Sequence, residues 1–142
     1  MNNEYDNKNS ENSGTAYLTV RASSADNAIP LSGVKIIIRD GDSDKGILYS
    51  LYTNSSGKTE TVSVSVPPKE LSVFPNNERK YGTVNIEASL SGYHTMSYSS
   101  VPLFDTIYAT QNVKMIPISE NGQNFISDYR EGMSFEIREN SL

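Results

Sequence analysis

The sequence contains no cysteine, no tryptophan and a single histidine in 142 residues. Without cysteine there is no disulfide, no thiolate zinc site and no cysteine nucleophile, and the redox compartment stays open. His94 has no second histidine with which to form a zinc site. It follows the Gly92 turn beside Tyr93, where a surface histidine at a strand end is favoured over a general base. No Gly-x-Ser-x-Gly elbow occurs either. These absences predict a chain that is not an enzyme and needs no cofactor.

Long apolar runs and clusters of basic residues are also missing. No apolar stretch approaches the ~20 residues of a membrane-spanning helix, and residues 1–13 lack the apolar region of an export signal. Lys and Arg number 12 against 17 Asp and Glu, a net charge of −5 that disfavours nucleic acid and anionic membranes as partners. The expected partner is a protein or a cell-wall glycan. The expected location is the cytoplasm, with spore or wall association as the alternative.

The sequence does have short alternating apolar runs separated by Pro and Gly turns. Val62, Val64 and Val66 alternate with polar residues in the period of a half-buried strand. Runs of this kind occur at 16–22, 34–39, 47–53, 59–66, 82–90, 93–101 and 107–115. Seven short strands with almost no helix pattern predict an all-β fold, a seven-stranded antiparallel β-sandwich.

The length fits one domain of roughly 100 residues. Residues 1–14 are polar, rich in Asn and without periodicity, so we predict a disordered leader there. Residues 15–118 form the predicted sandwich. In the tail, 119–142, the pattern weakens, and 133–138 is interpreted either as an eighth edge strand or as part of a flexible segment.

Three turn signatures in fixed order carry a family resemblance: IPLSGV at 29–34, TNSSGKT at 53–59 and ASLSGY at 88–93. They resemble the carboxypeptidase regulatory-like domains, which share a transthyretin (prealbumin)-like seven-stranded sandwich with Cna-B domains. The segment 81–117 is similar to the module at the front of clostridial spore cortex-lytic and peptidoglycan-binding proteins. The resemblance spans about residues 15–118. It implies a non-catalytic accessory or interaction module associated with spore or cell-wall peptidoglycan systems.

An acidic turn offers a candidate metal site. Asp40, Asp42 and Asp44 alternate, as carboxylates do at the opening of a calcium loop. Lys45 stands where such a loop has glycine, and Leu51 stands where it has a bidentate acid. A solvated hairpin turn is favoured by the same residues, with a weak calcium site as the alternative.

Nine tyrosines suggest a second surface. Tyr49, Tyr52, Tyr98 and Tyr108 lie on predicted strands and could form a stacking face for a sugar or a partner protein. Tyrosine is also an ordinary strand former, so packing of these rings at edges and loops is favoured over a binding face. If they do form a face, the alternative function is a small carbohydrate-binding module for peptidoglycan or polysaccharide.

Overall fold

Eight β-strands make up the framework of the described part of the chain. A computed structural model describes residues 14–25, 28–41, 46–69 and 81–118 and the strand at 133–137. The strands are β1 (Gly14–Ser24), β2 (Lys35–Asp40), β3 (Ile47–Tyr52), β4 (Val62–Val66), β5 (Gly82–Ser89), β6 (Met96–Leu103), β7 (Ile107–Met115) and β8 (Met133–Ile137). None of these described residues belongs to a helix long and apolar enough to cross a membrane.

The strands form two four-stranded sheets. Sheet A has the order β4-β1-β7-β8, and sheet B has the order β3-β2-β5-β6. The predicted all-β architecture is therefore confirmed, and the predicted antiparallel pairing is corrected, because β1 pairs with β7 in parallel and sheet A is mixed. Seven of the described strands lie within 14–115, and β8 is the edge strand that was one interpretation of 133–138. Alternation along a strand has the same period in parallel and antiparallel pairs. The sequence pattern therefore could not reveal the direction of this pairing.

The core lies between the inner faces of the two sheets. Leu18 and Val20 of β1 face Ile36 and Ile38 of β2 and their neighbours, and all four are fully buried. Burial alternates along β1, β2, β5 and most of β7, as expected of strands with one face in the core. Burying these side chains is the main favourable contribution to folding, at about 1.5–3 kcal/mol for each large aliphatic residue.

The core also contains polar residues that periodicity did not indicate. Gln111 on β7 is fully buried, and its Nε2 donates a hydrogen bond to the Asn112 carbonyl oxygen at 3.0 Å. His94 was predicted at the surface, but it is only 5% exposed. Its backbone N–H donates to the Ile116 carbonyl at 2.8 Å, which holds the start of the β6 segment against the end of β7. This contact between distant segments, which the local sequence does not show, helps to cover the residue.

The carboxylate of Asp105 joins three separate segments at one end of the sandwich. Oδ1 accepts a hydrogen bond from the Thr15 N–H at 2.9 Å, and Oδ2 accepts one from the Lys69 N–H at 2.8 Å. The approach to β1 is close, because a Cβ at Gly14 would lie 2.7 Å from the Asp105 carboxyl carbon. Asp105 therefore ties the β6–β7 turn to the beginning of β1 and to the chain after β4.

Asp105→Ala is expected to lower the free energy of unfolding by about 2 kcal/mol, because hydrogen bonds to a charged acceptor contribute about 1.5–3 kcal/mol each and these are partly solvated. Urea denaturation followed by far-UV circular dichroism measures the loss. Glu87→Ala is the control, since the Glu87 ion pair with Arg39 is 3.4 Å long and both side chains are over a third exposed. A loss of less than about 1 kcal/mol is expected there. Equal losses in the two variants would contradict the role given to Asp105.

Candidate functional site

A groove of about 320 Å³ opens between the edge strands on one side of the sandwich. β3 is the edge of sheet B and β4 is the edge of sheet A. The end of β2 and the start of β5 close the groove at one end. Its walls include Asp40, Leu48, Tyr49, Val64, Pro67 and Tyr81.

Tyr49 links the two edges beside this groove. Its hydroxyl donates a hydrogen bond of 2.7 Å to the Ser63 carbonyl oxygen on β4, and its ring packs against the core. Because backbone groups alternate in direction along a strand, the Ser63 carbonyl and both backbone groups of Ser65 face away from β1. One wall of the groove therefore presents an aromatic ring, and the opposite wall presents strand backbone.

Tyr81 provides a second ring at the rim. It packs against Phe104 with ring centroids 5.3 Å apart and an interplanar angle of 43°, and both rings are over a third exposed. The neighbouring Gly82 allows the two sheets to meet here, because a Cβ at that position would lie 2.7 Å from Cγ1 of Val66. Tyr81 is thus held where sheet A and sheet B converge.

Asp40 brings a carboxylate to the same groove. It is the last residue of β2, and the following Gly41 donates its N–H to the Thr83 carbonyl at 2.9 Å. The backbones are in contact at this point, because a Cβ at Gly41 would lie 2.8 Å from the Thr83 carbonyl oxygen. The position of Asp40 is therefore set by the pairing of β2 with β5.

The structure does not bring the four predicted tyrosines together. Tyr49 borders the groove, and Tyr52 lies 62% exposed on the outer side of sheet B. Tyr108 stacks on Tyr17 of β1 at 4.4 Å and 12°. Tyr98 is 2% exposed, so its place in a surface set is corrected. Tyr98 alternates with Ser97 and Ser99 and shares the inward face of Met96, so the period of the strand itself places this ring in the core.

The predicted calcium turn is only partly within the described residues. Asp40 lies in the groove, whereas Asp42 and Asp44 lie outside the described residues. Within the described ranges, no three His, Cys, Asp or Glu residues lie close enough to hold a metal ion. His94 is also far from Asp40. Asp40 pairs with Val84 and Lys35 pairs with Ser89, and the turn that precedes His94 follows Ser89. That turn therefore begins about 17 Å along β5 from Asp40.

Sequence reasoning missed the groove itself. Tyr81 stands outside every alternating run and next to Gly82, so it gave no strand signal. A pair of edge strands becomes a groove only once their partners in each sheet are known, and those pairings are non-local.

Comparisons with known proteins concern the fold. No protein-family model matches the sequence, and no curated protein matches it. Among solved structures, the chain is similar to catechol 1,2-dioxygenase of Acinetobacter radioresistens, with a TM-score of 0.55 and 12% identity over 88% of this chain. It is also similar to catechol 1,2-dioxygenase of Acinetobacter sp. ADP1, with a TM-score of 0.52 and 12% identity over 82% of this chain. This chain covers 59% and 57% of the two enzymes.

These likenesses correct the functional predictions. The sequence predicted a non-catalytic accessory module of spore or peptidoglycan systems, with a carbohydrate-binding module as the alternative, and it predicted that the chain is not an enzyme. These predictions are wrong, because solved structures with a similar fold are catechol 1,2-dioxygenases. The accessory role had been inferred from a family resemblance carried mostly by turn residues, and one fold can carry unrelated functions. The comparisons therefore establish a fold shared with these enzymes.

Proposed function

We propose that this domain binds a small aromatic diol, a compound of the catechol class, in the groove between β3 and β4. The observation that carries the proposal is the combination of two tyrosine rings and one carboxylate around a volume of about 320 Å³. This volume lies at the lower end of the range for small-molecule sites. The ligand class follows the names of the enzymes with a similar fold, which act on catechol.

Each wall of the groove is complementary to a different part of such a ligand. An aromatic ring stacks in offset or edge-to-face geometry on Tyr49 or Tyr81. Two adjacent hydroxyl groups are donors, and the two oxygens of the Asp40 carboxylate accept from both at once. The outward backbone of Ser65 offers a further donor and acceptor. A ring with one hydroxyl uses only half of the carboxylate and is expected to bind less tightly.

The proposal is limited to binding, because the described residues do not fit a metal centre for oxygen chemistry. Oxidation of a catechol by dioxygen depends on a redox-active metal or organic cofactor. Within the described ranges, Asp40 does not belong to any group of three His, Cys, Asp or Glu residues that could hold a metal ion. His94, the only histidine of the chain, is buried beyond the opposite end of β5. No catalytic step is derived for this chain.

The finer fold assignment is a further part of the proposal. We infer a transthyretin-like sandwich of the carboxypeptidase regulatory-like kind. Each of its three turn signatures contains a glycine with positive φ: Gly33 at 79°, Gly57 at 78° and Gly92 at 89°. Such a conformation favours glycine, so the residues that carry the resemblance are required by the backbone. The two four-stranded sheets with a parallel β1–β7 pair also support the assignment.

Catechol is expected to bind the wild-type protein with a dissociation constant of about 1 mM or lower, the range available to a ligand of so few atoms. Titration followed by ¹H–¹⁵N NMR should shift the amides of Tyr49, Val64 and Tyr81. Tyr81→Ala should weaken binding about tenfold. Tyr52→Ala is the matched control, because Tyr52 is a more exposed tyrosine on the outer side of β3, and it should bind as the wild type does.

Phenol provides the matched ligand control, since it retains the ring and lacks the second hydroxyl. It should bind several-fold more weakly than catechol to the same amides. The proposal fails if about 10 mM catechol leaves the groove amides unshifted. It also fails if Tyr52→Ala weakens binding as much as Tyr81→Ala does.

A further inference from the structure

The outer face of sheet B carries a second, smaller pocket, with a volume of about 170 Å³. Its polar lining residues come from three neighbouring strands and are Arg39 of β2, Asn85 and Glu87 of β5, and Ser97 and Ser99 of β6. They alternate with buried residues along each strand, so their side chains stand on the face opposite the core. The pocket and the groove between β3 and β4 have no described lining residue in common.

A β-bulge shapes one side of this pocket. Ser99 and Ser100 of β6 stand opposite Asn85 alone, because the register between β5 and β6 shifts there. Ser100 has φ of 56°, a left-handed conformation that is uncommon outside glycine. Bulges turn side chains to new directions and are frequent next to functional sites, where strained backbone also concentrates. The irregular backbone therefore lies where the polar side chains meet.

The bulge fixes the direction of the Asn85 amide. Oδ1 accepts a hydrogen bond of 2.9 Å from the Ser100 N–H. The oxygen and the nitrogen of an amide point to opposite sides, so Nδ2 is turned away from Ser100. Nδ2 has two N–H donors, and within the described ranges the Ser100 contact is the one hydrogen bond of this side chain. The amide thus brings oriented donors to the pocket.

Two opposite charges lie side by side next to this amide. Nη1 of Arg39 is 3.4 Å from Oε1 of Glu87, a longer contact than the 2.7–2.9 Å of a well-formed charge-assisted hydrogen bond. Arg39 pairs directly with Asn85 across β2 and β5. A guanidinium has five N–H donors, and the contact with Glu87 uses one of them. The pocket therefore has a positive side with several donors and a negative side with an acceptor.

We propose that this pocket binds a small zwitterion, a free α-amino acid of the size of glycine or alanine. The ligand carboxylate accepts from the Arg39 guanidinium and from Nδ2 of Asn85, and the ligand ammonium donates to the Glu87 carboxylate. The ammonium nitrogen of an α-amino acid is about 2.5 Å from its carboxyl carbon. That separation is close to the 3.4 Å between the two charged side chains, so both ends of the ligand reach their partners together.

Charge and volume restrict the ligand to this class. A simple anion is attracted by Arg39 but repelled by Glu87, and a simple cation meets the reverse, whereas a zwitterion is attracted at both ends. The volume is below the range of larger small-molecule sites, so it suits a ligand of few atoms. Both charged side chains are over a third exposed, and water and salt weaken their interactions. The expected dissociation constant is on the order of 10 mM.

Titration of the whole chain with glycine up to about 100 mM, ten times the expected dissociation constant, tests the proposal. In ¹H–¹⁵N NMR at constant pH and ionic strength, the amides of Asn85, Glu87 and Ser97 should shift and saturate. Arg39→Gln and Glu87→Gln should each raise the dissociation constant about fivefold. Lys35→Gln is the matched control, because Lys35 is exposed on the same face of β2, about 13 Å from Arg39. It should bind glycine as the wild type does.

Acetate and methylammonium are the ligand controls, since each retains one charge of glycine. Both should bind the wild type several-fold more weakly than glycine. The proposal is overturned if glycine gives no saturable shift of the pocket amides, or if acetate alone binds as tightly as glycine. It is also overturned if Lys35→Gln weakens binding as much as Arg39→Gln. The inference does not rest on the proposed function, because no diol is present and the groove residues are unchanged.

Discussion

Replacing Gly57 by alanine is expected to lower the free energy of unfolding by about 3–5 kcal/mol, the sum of a left-handed backbone and a steric clash. Gly57 has φ of 78°. A Cβ there would lie 2.5 Å from the Ala22 carbonyl oxygen, 3.1 Å from Cβ of Pro30 and 3.2 Å from the Leu31 nitrogen. The same residue accepts a hydrogen bond of 2.7 Å from the Ala22 N–H. Alanine would therefore push the turn away from β1 and strain this bond.

Gly33→Ala is the matched control for this effect. Gly33 has φ of 79°, and a Cβ there meets nothing within 4 Å. Gly33→Ala should therefore lower the free energy of unfolding only by the backbone strain, about 1–2 kcal/mol. Urea denaturation of both variants, compared with the wild type at equal protein concentration, gives the difference that belongs to the close approach. If both variants lost the same stability, contact between Gly57 and Ala22 would have no energetic weight.

The contrast between these two glycines shows what the sequence could predict. Both were expected as turn residues from local patterns, and the structure gives both a positive φ. Of the two, Gly57 is in a crowded position, because the turn that contains it lies against β1. Arg21 of β1 and Lys58 form an isolated antiparallel β-bridge there. Local sequence determines turn conformation through sterics of a few residues. The packing of that turn on a distant strand depends on pairings that no local pattern contains.

The same distinction applies to the strands and the candidate site. Alternation correctly indicated the half-buried strand β4, in which Val62 and Val66 are buried, because one face of each strand is buried. It could not show that β1 and β7 run parallel. The groove was missed for the same reason. Tyr49 on β3 and Tyr81 just before β5 reach it from segments that are far apart in sequence, and the four tyrosines chosen from the predicted strands do not share a face.

Thr53 carries the second large expected effect, because its side chain connects two of the turn signatures. It is 4% exposed. Its Oγ1 accepts a hydrogen bond of 3.0 Å from the Val34 N–H and donates one of 2.6 Å to the Leu31 carbonyl oxygen. The hydroxyl thus satisfies two backbone groups where the chain enters β2, in addition to the backbone bonds that pair Thr53 with Val34 and Gly33.

Thr53→Val is expected to lower the free energy of unfolding by about 2–4 kcal/mol, because valine has nearly the same shape but leaves two backbone groups without their partners, at about 1–3 kcal/mol each. Thr53→Ser retains the hydroxyl and should lose about 1 kcal/mol for the missing methyl group. Thr59→Val removes the single hydrogen bond of 3.0 Å from the Val20 N–H and should lose roughly half as much as Thr53→Val. Thermal and urea unfolding of the three variants test this order. If Thr53→Val were no less stable than Thr53→Ser, the paired hydrogen bonds would contribute nothing measurable, and the packing of the methyl group would be the reason for threonine at this position.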